Sequence, residues 1–188
     1  MVGIHTMDSA RIDYTPTWEI YGGFPSEATL EERQAVIAAP DWMVRERWFF
    51  ADITLVAEGN TVRYSKTPVI DFMMAFEYCV RALSVDRSTK FNVSGGPTLA
   101  FERDGGPVTV RNRAGLNVII EYVDLAAACL IFQRRFIDEV TFKFPDLLMN
   151  DLIGRLFREG GLREIDSDHS LRYTGAIKLK NEIVRDNP

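Results

Sequence analysis

Histidine is almost missing from this 188-residue chain, which has His5, His169 and no other. A three-histidine zinc centre is therefore excluded, and neither C-x-x-C nor H-E-x-x-H supplies ligands in its place. Cysteine is nearly as scarce. Cys79 and Cys129 each lie inside an apolar, helix-like stretch. Two such thiols make no disulfide framework; they read as buried and free, in a reducing compartment, although a helix contact bringing them together stays open. Long apolar runs are absent too. The longest covers residues 125–132, well short of the roughly 20 residues of a membrane span. Residues 1–8 lack the basic and apolar parts of a secretory signal, so a cytoplasmic protein with no membrane partner is expected. Concentrated positive charge is missing as well. The 22 basic side chains are outnumbered by 27 acidic ones, for a net charge of −5. Arg111, Arg113, Arg134 and Arg135 make too thin a footprint for a nucleic-acid partner. A mildly acidic surface suits solubility or a basic protein partner.

What the chain does have is a repeated turn. Ser94-Gly95-Gly96-Pro97 is echoed by Asp104-Gly105-Gly106-Pro107. Short β-type stretches run between and after these turns, and a long apolar helix pattern follows, which marks a β-meander packed under helices. Gly95-Gly96 leads into a strand, not a helix N-terminus, and no P-loop or G-x-G-x-x-G pattern occurs, so both read as turns and not as phosphate cradles.

The remaining elements follow from periodicity. Residues 1–25 are aromatic and irregular, an arm lying across the domain. A helix is predicted over 26–39, with Thr29 and Glu32 spaced as a capping box, or with an earlier start at Ser26, and Pro40 stops it. Residues 42–57 read as one long strand, with Phe49, Ala51, Ile53, Leu55 and Ala57 on one face and Asp52, Thr54 and Val56 on the other. Residues 61–66 return antiparallel. Thr67-Pro68 reads as cap and first position of a helix striped by Val69, Phe72, Met73, Phe76, Val80 and Leu83. A β-rich stretch covers 91–123, with a hairpin over Asp104-Gly105-Gly106. Asp124 is predicted to cap a second long helix, 125–140. Pro145 ends it, and Asp146 opens a third helix to about residue 157. The predicted fold is α+β: an antiparallel sheet of hairpins packed against two or three helices. Residues 26–158 form its single domain, 1–25 the N-terminal aromatic arm, and 159–188 a C-terminal appendage, read as a late hairpin or a contact helix.

Chemistry is hard to find in this order. No G-x-S-x-G elbow exists. Asp166-Ser167-Asp168-His169 is the best cation candidate, but the twelve-residue calcium-loop pattern is absent, and a solvated acidic turn is the plainer reading. Asp71, Glu77, Asp138 and Glu139 read as solvated helix faces. Asp52, inside an otherwise apolar strand, points outward or pairs across the hairpin with Arg63. A ligand pocket between sheet and helices would draw on Asp52, Arg63, Glu77 and His169. No cofactor, metal or catalytic set is predicted.

Trp18, Tyr21, Phe24, Trp42 and Trp48 are dense for an irregular region. Tryptophan and tyrosine are enriched at binding hot spots, though such residues also anchor an arm to its own domain. The β-β-α stretch over 48–83 and the β-β-β-α stretch over 98–140 resemble the layout of small α+β immunity proteins of bacterial toxin systems and of bacterial families of similar build. That resemblance covers about half the chain and involves no diagnostic motif. It implies an intracellular, non-enzymatic protein that occludes a cognate toxin. Trp18, Tyr21 and Trp42 would then be partner anchors, and Glu27, Glu31 and Glu32 a rim steering a basic toxin. A small-ligand or enzymatic domain, and a subunit of a homo-oligomer or larger bacterial or phage assembly tied by its terminal arms, are the alternatives.

Overall fold

A computed structural model of the chain describes residues 10–17, 29–85, 88–160, 163–165 and 171–173, with backbone alone from residue 160 onward. The architecture is α+β, with helices packed on antiparallel sheets. Strands β1 (Ala10–Pro16), β2 (Phe50–Ala57) and β3 (Asn60–Pro68) form one sheet in that order. Strands β4 (Ser88–Phe91), β5 (Leu99–Arg103), β6 (Val108–Arg111) and β7 (Asn117–Ile120) form a second. The helices are α1 (Leu30–Ile37), α2 (Asp41–Arg47), α3 (Val69–Val85), α4 (Tyr122–Lys143) and α5 (Asp151–Gly160). A 3-10 turn over Pro145–Met149 joins α4 to α5, and β8 (Arg163–Ile165) pairs with β9 (Leu171–Tyr173).

One apolar core joins both sheets to α3 and α4. Alternation puts Ala51, Ile53, Leu55 and Ala57 on the buried face of β2, and Val62 and Tyr64 on that of β3. From the second sheet come Phe91, Leu99, Phe101, Val108 and Val110. The centre is aromatic. Phe72 meets Tyr64, Phe91 and Phe132 edge-on at 5.3, 5.0 and 5.6 Å, and Phe76 meets Phe91 and Phe101 at 5.3 and 5.9 Å. Such pairs contribute about 0.5–1.5 kcal/mol each beyond their burial.

Five local expectations are corrected. The helix expected to open at Asp146 is a 3-10 turn there, and α5 begins only at Asp151. The arm is not wholly irregular: residues 10–16 run antiparallel to β2 over their full length, with Ile12 opposite Leu55. Ala10, Ile12 and Tyr14 alternate inward, a period hidden among the polar residues between them. The stretch predicted as one strand from residue 42 begins instead as α2, and β2 starts at Phe50. Pro40 supplies the reason, since it sits at the N-cap of α2 with Asp41 in the first turn. Phe49, between the two, takes φ 59°. Its ring is buried 5.8 Å from Phe136, and its carbonyl accepts the Val69 amide at 3.0 Å, so packing holds a backbone state that is unusual for phenylalanine.

Thr67 and Pro68 belong to β3, not to the start of α3. The Thr67 hydroxyl donates to the carbonyl of Ser94 at 2.9 Å instead of capping the helix. Likewise Glu121 occupies the N-cap of α4, and Asp124 lies within its first turn. The capping box on α1 does form: Glu32 N donates to Thr29 Oγ1 at 3.2 Å, and Thr29 N to Glu32 Oε2 at 2.6 Å.

The Ser94–Pro97 turn is a strap across β3. Ser65 N donates to Gly95 O at 2.8 Å, and Tyr64 OH donates to Pro97 O at 2.9 Å. Gly95 has φ 88°, and a methyl there would overlap the Ser65 carbonyl and the Thr67 hydroxyl; one on Gly96 would enter the Tyr64 ring. The second turn is open, with nothing within 4 Å of a methyl built on Gly105 or Gly106.

Candidate functional site

The side chains nominated for a ligand pocket do not assemble among the described residues. Asp52 Oδ1 accepts the Lys66 amide at 3.0 Å, beside the register shift between Ala51 and Ile53. It therefore finishes a bulge, and the residue opposite Arg63 is Thr54. Glu77 lies far inside the helical layer, 7% exposed. It accepts from Gln133 Nε2 at 3.1 Å and pairs with Arg81 at 3.2 Å, which joins α3 to α4. His169 is outside the described residues, as are Trp18, Tyr21 and Glu27.

Of the nominated partner-binding residues, Trp42, Glu31 and Glu32 are described. Trp42 is 51% exposed on α2, with the Arg47 guanidinium 5.6 Å over its ring. Glu31 is exposed on α1. Glu32 is held in the cap, where hydrogen bonds from the Thr29 backbone and side chain pull its carboxyl below the usual range.

The face that carries Trp42 continues onto α3. Arg45 lies three residues after Trp42, one helical turn along. It pairs with Asp71 at 2.6 Å and lines a groove with Met74, Ala75, Tyr78, Cys79, Lys90, Phe91 and Asn92. The groove holds about 340 Å³ between α2, α3 and β4. Tyr78 is 70% exposed and forms its ridge. On the far side of the same ridge a second groove of about 390 Å³ is lined by Met74, Glu77, Tyr78, Arg81, Arg155, Leu156 and Glu159. Arg155 of α5 reaches Asp41 of α2 at 3.0 Å, so α2, α3 and α5 share one surface. The backbone of β8 and β9 lies against α4 and α3.

Cys79 and Cys129 are both free and buried. The Cys79 thiol donates to Lys90 O at 3.4 Å, and burial pushes its pKa up, so it is no activated nucleophile. Among the described residues no three of His, Cys, Asp and Glu gather where they could hold a metal ion, and no helix is long and apolar enough to cross a membrane.

The sequence reading missed two residues that matter here. Tyr78 sits off the apolar stripe of α3, and only its aromatic character on a solvated face could have singled it out. Asn150 gave no signal at all. It is 2% exposed; its Nδ2 donates to the carbonyls of Val36, Ile37 and Ala39, and its Oδ1 accepts from Leu152 N and Ile153 N. It thereby satisfies the end of α1 and the start of α5 together.

Comparison of the chain with protein-family models, with curated proteins and with solved structures finds no match in any of the three.

Proposed function

We propose that this chain is a non-enzymatic protein-binding module that engages its partner through the face of α2 and α3. The observation that carries this reading is two exposed aromatics near one arginine: Trp42, half in water one helical turn before Arg45, and Tyr78, which lines a groove with Arg45. Tryptophan, tyrosine and arginine are the residues on which binding energy concentrates, and truncating such an anchor costs roughly 2 kcal/mol or more. Two grooves beside Tyr78 give a partner's side chains somewhere to enter.

Within that reading, the likeness to toxin-immunity proteins supports a narrower one, in which the module occludes a cognate toxin inside the cell. A net charge of −5 would draw a basic partner from a distance. Glu31 is free to contribute to that field, whereas Glu32 is committed to its cap.

The test is affinity capture from the native host with the wild type and with a Trp42→Ala/Tyr78→Ala double variant. A stoichiometric partner held by the wild type and lost by the double variant supports the reading. Equal capture by both moves the interface away from this face. No partner at all sinks the module itself.

A further inference from the structure

The two grooves beside Tyr78 differ in charge. The one towards α5 is balanced, with Arg81 and Arg155 against Glu77 and Glu159. The one towards β4 has Arg45 and Lys90 in its lining and no acid among the described residues. Asp71 offsets Arg45 from outside that lining, at 2.6 Å. Lys90 has no carboxylate partner among the described residues, so among these one cation is in excess.

The donors there are also under-used. Arg45 Nε is buried and makes no hydrogen bond among the described residues. The Tyr78 hydroxyl makes no hydrogen bond among the described residues. Below them the floor is apolar: Met74, Ala75 and the buried ring of Phe91. The reachable Lys90 ammonium and Tyr78 hydroxyl beside an apolar floor fit a ligand with a negative head and a greasy body.

We propose that this groove receives an acidic segment of the partner protein, a carboxylate side chain near Lys90 and Arg45 with an apolar neighbour on Met74 and Phe91. The inference rests on the protein-binding reading and adds the chemistry of contact. A net acidic chain and a cationic groove are compatible, because net charge acts at long range and local side chains act at contact. Free carboxylate metabolites share the head group but lack the chain that would run along the ridge.

The experiment is a titration of the full-length protein, followed by amide NMR, with three capped peptides: alternating Glu-Leu, alternating Gln-Leu and alternating Lys-Leu. Sodium glutarate, a free dicarboxylate, is the small-molecule arm. The Glu-Leu peptide should shift the amides of Ala75, Tyr78, Lys90 and Asn92, more strongly at low salt. The Gln-Leu and Lys-Leu peptides should not. Lys90→Glu, at an exposed site on a strand, should weaken Glu-Leu binding about tenfold or more while leaving the circular dichroism unchanged. Tyr78→Phe should weaken it less.

Equal binding of all three peptides, shifts confined to another surface, or indifference to Lys90→Glu would each overturn the proposal. Glutarate binding as well as the peptide would also overturn it, in favour of a small-anion site. None of these results touches the protein-binding reading, which stands or falls on capture by the wild type.

Discussion

Two turns with the same Gly-Gly-Pro core sit in one sheet and do opposite work. The first is clamped onto the neighbouring sheet by the Ser65 amide, the Thr67 hydroxyl and the Tyr64 phenol, and its glycines leave no room for a methyl. The second has open space beside both glycines, and Arg103 Nε donates to Gly106 O at 3.0 Å. A shared motif thus marks a shared backbone bend. What surrounds the bend decides whether glycine is required for its shape or for the space it leaves.

The largest effect should come from breaking that contrast at equivalent positions. Gly96→Ala should lose about 2–3 kcal/mol, because the added methyl meets a ring that is itself packed against Phe72 and Phe91. Gly106→Ala should stay within about 0.5 kcal/mol. Urea unfolding of the two variants side by side measures the gap; equal stabilities would mean that the strap is not seated as described. A smaller change isolates one tie. Tyr64→Phe keeps the ring and removes only the hydrogen bond to Pro97, leaving that carbonyl short of a donor, and should cost about 1–2 kcal/mol by the same measurement. If Tyr64→Phe matches the wild type, the strap is held by shape alone.

The third prediction sharpens the comparison with a tether of another kind. β1 is tied to α4 through Tyr14, whose hydroxyl donates to Glu139, with Arg135 4.5 Å over the ring. Burial raises the Glu139 pKa, but hydrogen bonds from Lys143 and Tyr14 and the charges of Lys143 and Arg135 outweigh it, and the net shift is downward. A carboxyl depressed in the folded state adds stability above its unfolded pKa and loses it as pH falls through the folded value. Protection of the β1 amides against hydrogen exchange should therefore drop as pH falls below the ordinary glutamate range, while that of Ser65, tied by backbone to Gly95, should not. Glu139→Gln should abolish the difference. Parallel loss at both places in the wild type would count against a titratable tether.

How far the chain could be read in advance depended on whether the signal was local. The apolar stripe of α3, the alternation in β2 and the capping box of α1 are set by neighbours in sequence, and all were legible. β1 was not, since its stability comes from pairing with residues about forty positions later. α2 was masked by the β-compatible Trp42 and Val44 and by the aromatics that follow it, and Asp52 looked like a site because its real partner, the Lys66 amide, belongs to the backbone. For the candidate face, Trp42 was visible as an aromatic. Its continuation through Arg45, Tyr78 and Lys90 arises only when α2, α3 and β4 come together.

Asn150 gives the fold an unequal exposure to chemical ageing. While the protein is folded, its amide is enclosed and held by five hydrogen bonds. Each unfolding episode opens it to hydrolysis, and a chain that has become aspartate there must refold with a carboxylate facing the carbonyls of Val36, Ile37 and Ala39. Damage would then accumulate in proportion to time spent unfolded, and the seam between α1 and α5 would be the first part unable to close again.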